Sequence, residues 1–597
     1  MPSTRGTHAD APPPGDAVAP GPLAALREGG RPLLLVLAIA LAFKLIVAVA
    51  ALDSDPHARQ PASDALYYLE RARGLAGLAD DPRAGQTYHL PPLYPWVLRL
   101  VPGAVEGEFL GVMALQALAG TALLACTWLL ARRRLPRDAA WLALGLTFLY
   151  GPLTFYETKL LGDSLATALL IGLLVACDAL YDRPAAWRGA LAGSLLALAA
   201  LLRPQALLLV PVLAIWAARR QRAAGAALLV AAALVLLPST LHNARAGGGF
   251  MPVSDNGGVN LWIANTARPL SGTFVAPGEA FGDIARQPEV ARAMAEAAAG
   301  HALTPGEVSS WFTREALAAV AAEPWTFAQR LALRGRALIE SFETDVACIP
   351  VVEMHLIPPL VLLALPFGVL LGLALGAGLL GGRLAPAPRL PALAVAGMVV
   401  LTALLFFHYS RFRLPLVPLL SVVAASALPP LRARTPGLAQ ALCAAAALAG
   451  VTLFSVWPAP HQPSTRANGW ATLGWARLAA LQPGDRAGAE QVLADAERAL
   501  QCLPHFPRAE RLAGRACLLL HRFDEAGAHF DAALAQAPDW NEALLDRALL
   551  LAIPDPANTR RDPAAAAALL PQLRAAARDD PTLAEGVAQV EALLGRH

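Results

Sequence analysis

The sequence predicts an all-α polytopic membrane protein with a separate helical domain at its C-terminal end. Of its 597 residues, 56% are hydrophobic and only 16% are charged, whereas a soluble globular chain carries about 25% charged residues. Long apolar runs recur as far as residue 457, and a spanning helix needs about 20 such residues. After about residue 475 the apolar runs shorten and charges return at helical spacing.

Composition and charge also exclude several classes of protein. The hydrophobic content excludes a disordered chain, and a net charge of +3 gives no support to nucleic-acid binding, which needs a concentrated basic face. The six cysteines include no C-x-x-C pair, so they indicate neither a zinc site nor a disulfide framework. Residues 1–30 lack the segment order of a cleaved signal and are predicted to be a disordered cytoplasmic tail.

Eleven apolar runs are predicted to cross the membrane as helices, because a helix satisfies its own backbone hydrogen bonds in lipid. The runs are 32–52, 108–131, 138–153, 158–180, 187–202, 204–218, 223–238, 355–382, 390–408, 414–429 and 436–457. Cytoplasmic loops carry an excess of basic residues, and with the N-terminus inside, six arginine clusters fall on that side. This orientation predicts a membrane domain over 31–458, with loops 53–107 and 239–354 on the outer face.

Residues 470–597 are predicted to form an extracytoplasmic domain of helical repeats. The stretches "AEQVLADAERALQCLPHFPRA" and "RFDEAGAHFDAALAQAPDWNEA" echo each other, with small residues where two helices would pack. The second unit resembles the tetratricopeptide repeat (TPR). The residues near that motif's expected positions are Leu512, Gly514, Ala526, Phe530, Ala533 and Pro538. Such a domain is expected to pack against the membrane part or bind a protein partner.

The first outer loop carries acidic residues next to the membrane. Asp53 and Asp55 follow the first span, and Asp64 precedes a helical run that contains Tyr67 and Tyr68. A carboxylate held here beneath aromatic walls can act as a general base on an acceptor hydroxyl. The alternative is that the first two are solvated acids and that Asp64 caps the helix. Their D-x-D spacing leaves a divalent metal open as a cofactor, although no metal ligands are assigned.

A second cluster of charged residues, both acidic and basic, lies at the start of the fourth span. Glu157, Lys159 and Asp163 fall within seven residues, and the chain has only one other lysine, Lys44. Three charges that face the same compartment as the first loop predict a polar pocket. The alternative is that each long side chain simply reaches the membrane surface.

Three arginines lie on the outer side of the membrane, against the positive-inside trend. They are Arg203 at the end of the fifth span and Arg411 and Arg413 in "SRFRLPLVPLL". Guanidinium groups suit bidentate phosphate binding, so they predict a site for an anionic headgroup. The alternative is that they form salt bridges; the candidate partners are Glu157, Glu343 and Asp345.

The loop after the seventh span combines glycines with Asn243, Asn256, Asn260 and Trp262. Amides beside an aromatic ring suit sugar hydroxyls and ring faces, although Asn-Gly is first of all a turn signal. The segment 285–345 then predicts amphipathic helices at the membrane surface. The sequence contains no P-loop, dinucleotide fingerprint, H-E-x-x-H or Ser-His-Asp arrangement.

Six motifs in this order resemble a known family. They are "SDALYYLERARGL", "PPLYPWVL", "YGPLTFYE", "LLRPQALLLVP", "LHNARAGGGFMPVSDNGGVNLWIAN" and "SRFRLPLVPLL". Over residues 32–430 the chain is similar to the membrane glycosyltransferases of the GT-C class, in particular the protein O-mannosyltransferase and aminoarabinose-transferase-like branch (the PMT family). The resemblance implies transfer of a sugar from a polyisoprenyl-phosphate donor to an acceptor hydroxyl at the extracytoplasmic face of a bacterial inner membrane.

The same resemblance implies roles for individual residues. Asp64 best matches the acidic base, and Asp55, Asp53 and Glu70 compete as the second acid. The leaving phosphate would be held by Arg203, Arg411, Arg413 and Lys159. The expected pocket residues are Tyr67, Tyr68, Tyr94, Glu157, Asn243, Asn256 and Asn260. The acceptor is left open as a protein, a lipid or a glycan, and no nucleic acid is expected.

Two other functions are consistent with the sequence. A transporter or flippase of a lipid-linked intermediate often shows inverted repeats and broken helices, and no convincing internal repeat is present among the spans. A membrane-anchored scaffold would function through its repeats alone. The presence of Asp64, Arg203 and the pair Arg411 and Arg413 argues against a degenerate transferase part.

Overall fold

The computed structural model describes residues 22–79, 83–277, 281, 284–345, 348–433, 436–459, 461–578 and 581–595. These residues form helices and loops without a named strand; one isolated antiparallel bridge joins Tyr150 and Ala364. The predicted all-helical class is therefore confirmed for the described part of the chain. Most of the predicted tail 1–30 lies outside the described residues.

The described residues of the membrane part form 21 α-helices, which we number in chain order. The helices up to the second outer loop are α1 Pro22–Ser54, α2 Pro56–Arg59, α3 Asp64–Ala76, α4 Leu93–Leu100, α5 Leu110–Arg134, α6 Arg137–Leu149, α7 Gly151–Tyr156, α8 Asp163–Asp182, α9 Ala186–Leu202, α10 Leu209–Arg220 and α11 Arg222–Arg245. Those that follow are α12 Gly257–Thr266, α13 Gln287–Ala299, α14 Pro305–Ala322, α15 Pro324–Ile339, α16 Pro350–Glu353, α17 Phe367–Leu379, α18 Leu390–Leu405, α19 Leu416–Ala425, α20 Leu428–Ala433 and α21 Leu438–Val456.

Six of these helical stretches are long and apolar enough to cross a membrane, counted over the described residues. They are Arg27–Ser54, Leu110–Arg134, Asp163–Asp182, Arg222–Arg245, Leu416–Ala433 and Leu438–Val456. Large apolar side chains such as Leu438, Leu442 and Leu453 on the last of them are exposed, as lipid-facing residues are. The chain is therefore a membrane protein by length and composition of its helices.

The count of eleven spans stays a prediction. Three further apolar helices, Ala186–Leu202, Phe367–Leu379 and Leu390–Leu405, are shorter. The predicted spans 138–153 and 204–218 contain α6, with 13 residues, and α10, with 12. At about 1.5 Å per residue, neither helix alone crosses a hydrocarbon core of about 30 Å.

Helices α9 and α11 approach each other closely through two glycines. A Cβ atom added at Gly189 or Gly193 would lie 2.1 Å and 2.2 Å from the backbone carbonyl oxygens of Ala224 and Leu228. The spacing is the G-x-x-x-G pattern that lets membrane helices pack backbone to backbone. This contact holds α9 against α11, and Arg203 directly follows the C-terminal end of α9.

We expect Gly193→Val to lower the free energy of unfolding by roughly 2–3 kcal/mol, because overpacking at a close backbone contact forces the helices apart. Thermal unfolding of the purified protein in detergent measures the effect. The matched control is Gly172→Val on α8, where an added Cβ meets nothing within 4 Å. Equal melting temperatures for the two variants would contradict the close-packing argument.

In the C-terminal part the described residues form seven helices that pack one on the next. They are α22 Gln462–Ala480, α23 Arg486–Cys502, α24 Pro507–Leu519, α25 Phe523–Gln536, α26 Asn541–Ala552, α27 Pro563–Ala576 and α28 Pro581–Leu594. Gly514 lies against the ring of Phe530, where an added Cβ would come within 2.4 Å. The small residue therefore permits close packing of α24 on α25. The assignment of these helices to the TPR class stays a prediction.

The first of these helices, α22, lies against the second outer loop. Trp470 and Leu473 pack with Ile349 and Val352, which flank and belong to α16. An added Cβ at Gly469 would lie 2.4 Å from Ile349 Cγ2. The C-terminal helices thus contact the same side of the membrane part as the loop that carries α16.

Candidate functional site

A cavity of about 460 Å³ lies between the first outer loop, the end of α9, the start of α12 and the segment after α18. We call it the main cavity. Its polar lining consists of Ser63, Asp64, Tyr68, Arg203, Gln205, Asn256, Asn260, Thr402, Tyr409, Gln287 and Arg411. Its apolar lining includes Leu207, Leu208, Phe274, Phe281, Phe406, Phe407 and Phe412. Six residues selected from the sequence therefore meet here: Asp64, Tyr68, Arg203, Asn256, Asn260 and Arg411.

Asp64 and Arg411, which are 347 residues apart in the chain, form an ion pair in this cavity. Arg411 Nη2 donates to Asp64 Oδ2 at 2.8 Å, and its Nε lies 3.5 Å from Asp345 Oδ2. Arg411 is buried, and its Nη1 has no hydrogen-bond partner among the described residues. A buried N–H group without a partner is costly, so this guanidinium is suited to accept an additional anion.

Arg203 supplies a second guanidinium beside the aromatic ring of Phe412. Its Cζ lies 5.1 Å from the ring centroid of Phe412, and Arg411 Cζ lies 5.8 Å from the same centroid. Arg203 forms an ion pair with Asp163, which is buried and does not line the cavity. The two arginines therefore line the main cavity, and each pairs with a buried carboxylate outside its lining, Arg203 with Asp163 and Arg411 with Asp345.

Local backbone structure explains why these side chains project into the cavity. Arg203 ends α9 in an extended conformation, and a 3-10 turn begins at Pro204. Arg411 belongs to another 3-10 turn, Ser410–Arg413, which Thr344 stabilises. The N–H of Ser410 donates to the carbonyl oxygen of Thr344, and the N–H of Thr344 donates to Ser410 Oγ. Asp64 is the first residue of α3 and makes no capping bond, so the cap interpretation of its sequence context is wrong: its carboxylate turns to Arg411.

Arg413 occupies a different place from the one predicted. It is fully buried and does not line the main cavity. Its Nη2 donates to Glu343 Oε1 at 2.8 Å, and its Nη1 donates to the carbonyl oxygen of Leu338 at 2.9 Å. Tyr150 donates to the same Glu343 oxygen at 2.9 Å. All three arginines form salt bridges, Arg203 with Asp163, Arg411 with Asp64 and Asp345, and Arg413 with Glu343. Arg413 alone of the three does not line the main cavity, and it joins the end of α15 to the segment that carries Arg411.

Lys159 and Asp55 also lie outside the main cavity. The Lys159 ammonium pairs with Asp55 and with Glu353 Oε2, the latter at 2.5 Å, and His57 Nδ1 lies 2.8 Å from Glu353 Oε1. All four residues are buried. Burial opposes ionisation of Glu353, yet Lys159 and His57 hold its pKa at about 2. The structure therefore does not bring Lys159 to a phosphate site or Asp55 to the cavity that contains Asp64.

The same cluster bears on the metal that the D-x-D spacing left open. Within the described chain, one group of three side chains, Asp55, His57 and Glu353, has ligand atoms within 4.8 Å of one another. The Lys159 ammonium already pairs with both of its carboxylates and occupies the position between them, and Asp53 is an exposed partner of Arg59. The residues present therefore do not fit a divalent cation.

Three other predicted pocket residues have structural partners elsewhere. Glu157 is buried and forms an ion pair with Lys44 at 2.5 Å. The hydroxyl of Tyr94 donates to Gln116 at 3.1 Å in the core. Asn243 joins two loops: its Oδ1 accepts from the N–H of Tyr88, and its Nδ2 donates to the carbonyl oxygens of residues 251 and 253. None of the three lines the main cavity.

A second cavity of about 300 Å³ lies beside the first and is open on the outer loops. We call it the polar cleft. Its lining is Tyr67, Arg83, Gly85, Gln86, Thr87, His89, Ala246, Asp255, Val259, Pro288, Glu289, Ala291, Arg292, Pro305, Val308 and Ser309. Tyr67, predicted for the pocket, therefore faces this cleft, whereas its neighbour Tyr68 lines the main cavity.

In the polar cleft the buried His89 pairs with the partly buried Asp255. His89 Nδ1 lies 2.8 Å from Asp255 Oδ1, and its Nε2 lies 2.9 Å from Gln287 Oε1. Gln287 Nε2 donates to the carbonyl oxygen of Phe281 at 3.1 Å, so its Oε1 is the atom that faces the imidazole. Burial alone would lower the pKa of His89, but the Asp255 carboxylate raises it. Each ring nitrogen of His89 thus faces an oxygen atom, Asp255 Oδ1 or Gln287 Oε1.

Several residues of the site were not selected from the sequence. The pair His89 and Asp255 gave no signal, because 166 residues separate its members. The aromatic wall around Phe406 and Phe407 was visible only as part of the run "FFHYSRF". Arg334 is buried and donates to the carbonyl oxygens of Ala264 and Leu404, so it holds the ends of α12 and α18 beside that wall.

Comparisons with known proteins return no matching family model and no matching curated protein. Solved structures of one enzyme, the oligosaccharyltransferase of Archaeoglobus fulgidus, are similar over most of this chain. The apo form is 12% identical with a TM-score of 0.40, covering 78% of this chain and 60% of that one. The form tethered with an acceptor peptide is 14% identical with a TM-score of 0.39, covering 78% and 59%. The complex with an inhibitory peptide and a dolichol-phosphate is 15% identical with a TM-score of 0.34, covering 79% and 60%. The chain thus spans about three fifths of that enzyme's length.

Proposed function

We propose that the chain is a membrane glycosyltransferase that moves a sugar from a polyisoprenyl-phosphate donor to an acceptor hydroxyl at the extracytoplasmic face. The observation that carries the proposal is the convergence of Asp64, Arg203 and Arg411 on one cavity with an apolar wall. A carboxylate, two guanidinium groups and an apolar wall are the groups that a lipid-linked sugar phosphate and a hydroxyl nucleophile need.

In this proposal Asp64 acts as the general base. Its carboxylate takes the proton from the acceptor hydroxyl while that oxygen forms a bond to the anomeric carbon of the donor sugar. The bond from this carbon to the phosphate oxygen breaks, its electron pair leaves with the lipid phosphate, and the configuration inverts. Negative charge on the phosphate grows as this bond breaks, so Arg203 and Arg411 stabilise the transition state more than the ground state.

Because Asp64 forms an ion pair with Arg411, binding of the donor phosphate to Arg411 would free Asp64 to act as the base. A phosphate beside Arg203 competes with Asp64 for the N–H groups of Arg411, and a phosphate is the better partner because it accepts several bonds at once. Donor binding would thus release the Asp64 carboxylate toward the acceptor hydroxyl. The aromatic and aliphatic wall that includes Leu207, Leu208 and Phe407 would receive the first isoprene units of the carrier.

We further propose the orientation and domain arrangement of the protein. The membrane domain would span 31–458 in a bacterial inner membrane, with the N-terminus in the cytoplasm and the GT-C arrangement of helices. Residues 470–597 would form the extracytoplasmic TPR-like domain. The contact of Leu473 with Val352 supports this placement, because it joins α22 to the loop that precedes Glu353. The domain would present an acceptor or a partner protein to the outer face.

The test is to incubate the purified protein with a panel of polyisoprenyl-phosphate sugars and an extract of envelope acceptors, and to measure which donor is consumed. Transfer of the sugar to a hydroxyl supports the proposal. Movement of the donor across a vesicle membrane without cleavage of its glycosidic bond would instead identify a flippase, and no effect on any donor would leave a scaffold as the remaining function.

We expect Arg411→Gln to weaken donor binding by roughly 10–100-fold, because it removes a charge-assisted hydrogen bond to the phosphate. The affinity for the acceptor should change less. Binding of a polyisoprenyl-phosphate sugar to the purified variant measures the effect. Arg268→Gln is the charge-matched control, since Arg268 is exposed and pairs with Glu323 on the surface. Equal donor affinity in both variants would exclude Arg411 from the phosphate site.

A further inference from the structure

Two tyrosines of the main cavity have hydroxyl groups that no protein group engages. Tyr68 and Tyr409 both line this cavity and are buried, with 7% and 5% of their surface exposed. Neither hydroxyl makes a hydrogen bond to any residue that the structure describes. The tyrosines buried in the core instead donate to a side chain at 2.8–3.1 Å; they are Tyr94, Tyr150 and Tyr156. Because a buried tyrosine hydroxyl usually has a partner, the two cavity hydroxyls are available to a ligand.

The hydroxyl of Tyr68 is accessible from the cavity. Elsewhere in the described chain some buried hydroxyl oxygens are both unpaired and closed off, such as those of Ser164 and Ser421. Tyr68 Oη is not among these closed oxygens, although it too is unpaired. The exposed surface of Tyr68 therefore includes its hydroxyl, and because Tyr68 lines the main cavity, a molecule in that cavity can reach it.

Tyr68 lies among the charged groups of the site. It is four positions after Asp64 on α3, so the two side chains share one face of the helix with Cβ atoms about 5–6 Å apart. Its hydroxyl is close enough to Asp64, Arg203 and Arg411 for their charges to act on it. Its ring packs edge to face on that of Tyr94, with the centroids 5.3 Å apart. The ring is thus held in the core, and the hydroxyl belongs with the base and the two guanidinium groups.

This hydroxyl can donate a hydrogen bond but cannot serve as a base. Burial raises the pKa of the Tyr68 hydroxyl far above its ordinary value, and the Asp64 carboxylate raises it further. The proton therefore stays on the oxygen throughout the neutral range. Tyr68 thus adds a neutral donor to a cavity whose other strong donors are the two arginines.

Two reacting oxygens can receive this hydrogen bond, that of the acceptor hydroxyl and that of the leaving phosphate. A bond donated to the attacking oxygen withdraws electron density from it and slows the attack. A bond donated to the phosphate becomes stronger as negative charge grows there. Arg203 and Arg411, which hold the phosphate in the proposed function, are both among the charged neighbours of Tyr68. The phosphate is therefore the favoured partner.

We propose that Tyr68 is a catalytic residue that donates a hydrogen bond from Oη to the phosphate of the polyisoprenyl donor, beside Arg203 and Arg411. This proposal rests on the proposed glycosyltransferase function. When the glycosidic bond breaks, the phosphodiester becomes a monoester, which gains a second negative charge near neutral pH. The bond from Tyr68 therefore stabilises the leaving group more than the intact donor, and it contributes to the rate as well as to binding.

The experiment compares Tyr68→Phe with the unchanged full-length protein in detergent. Isothermal titration calorimetry measures the binding of polyisoprenyl phosphate, of the polyisoprenyl-phosphate sugar and of the polyisoprenol without phosphate. We expect the affinity for polyisoprenyl phosphate to fall by about 10–100-fold and the affinity for the sugar donor to fall less. The polyisoprenol should bind equally to both proteins. At saturating donor, sugar transfer should be about tenfold slower, because the lost bond is stronger in the transition state.

Tyr88→Phe is the matched control. Tyr88 lies in the same outer loop and lines neither cavity, so the loss of its hydroxyl should leave the three affinities unchanged. The melting temperature of Tyr68→Phe should also be unchanged, because phenylalanine keeps the ring contact with Tyr94 and none of the described hydrogen bonds involves the Tyr68 hydroxyl. A lower melting temperature together with weaker binding of the polyisoprenol would show a structural role and overturn the proposal.

The remaining outcomes separate this proposal from the one on which it rests. Equal affinity of the two proteins for polyisoprenyl phosphate, or binding by neither, would overturn the role of Tyr68, whatever donor is consumed. A loss of affinity for the sugar donor alone would place the hydroxyl on the sugar and overturn it as well. Weaker binding of polyisoprenyl phosphate by Tyr68→Phe, in a protein that transfers no sugar, would keep Tyr68 as a phosphate ligand and overturn the transferase.

Discussion

Asp64→Asn is expected to lower the rate of sugar transfer by about 10²–10⁴-fold, which is the usual contribution of a positioned general base. The amide has nearly the shape of the carboxylate and its oxygen still accepts a hydrogen bond from Arg411, but it cannot take the proton of the acceptor hydroxyl. The rate is measured with a saturating polyisoprenyl-phosphate sugar, so that a change in donor affinity does not enter.

Donor binding gives a second measurement on the same variant. The Asp64 carboxylate competes with the phosphate for Arg411, and the neutral amide competes less. We therefore expect donor affinity in Asp64→Asn to equal or exceed that of the unchanged protein, in contrast to its loss in Arg411→Gln. A variant that loses both transfer and donor binding would make Asp64 a structural partner of Arg411 instead of the base.

Asp53→Asn is the matched control for this experiment. Asp53 lies in the same outer loop, and its side chain is 72% exposed and pairs only with the exposed Arg59 among the described residues. Its neutralisation should leave transfer unchanged. Transfer at the normal rate by Asp64→Asn would remove Asp64 from the mechanism and return the choice to the other acids of the loop. Loss of transfer in Asp53→Asn would show that the effect is not specific to Asp64.

The sequence is informative about the fold because membrane helices follow from local composition. The apolar runs predict helices at all eleven positions, and the structure has helical residues in each. Composition alone does not show whether an apolar helix crosses the membrane, because its length also matters: α6 and α10 are apolar but short. The close contact of α9 and α11 depends on Gly189 and Gly193 facing carbonyl groups of another helix, and no single stretch of sequence contains both sides of that contact.

The candidate site was predictable in its residue types but not in its pairings. Arg203 and Arg411 stood out because they lie on the side of the membrane where basic residues are uncommon. Arg413 also lies on that side of the membrane, but it is buried outside the main cavity. Its structural role is evident only from its contacts with Glu343 and Leu338. A long-range pair such as His89 and Asp255 has no local signature at all, and the polar cleft depends on it.

The two lysines illustrate how a residue type can be misread. The family resemblance implied that Lys159 holds the phosphate, but both lysines are buried in ion pairs: Lys44 with Glu157, and Lys159 with Asp55 and Glu353. A guanidinium is larger than an ammonium group and presents a planar fork, so it does not replace lysine at a compact buried site. An arginine-rich chain would therefore retain lysine at a buried position that is too small for a guanidinium group.

Lys159→Met is expected to lower the free energy of unfolding by about 3–5 kcal/mol, because removal of one partner leaves buried charge without compensation. The ligand atoms of Asp55, His57 and Glu353 lie within 4.8 Å of one another, and without the ammonium group the two carboxylates repel. Thermal unfolding in detergent measures the loss. The triple variant that adds Asp55→Asn and Glu353→Gln should recover most of it, since no unpaired charge then remains.

The same variant distinguishes a structural lysine from a phosphate ligand. Loss of a phosphate ligand would weaken donor binding and leave stability unchanged, whereas loss of the buried cation destabilises the outer face. Helix α2, which contains His57, and α16, which contains Glu353, both contact α22. Lys159→Met should therefore also release the C-terminal helices to limited proteolysis between residues 458 and 470. Normal melting together with weak donor binding would restore Lys159 to the phosphate site and refute the structural role.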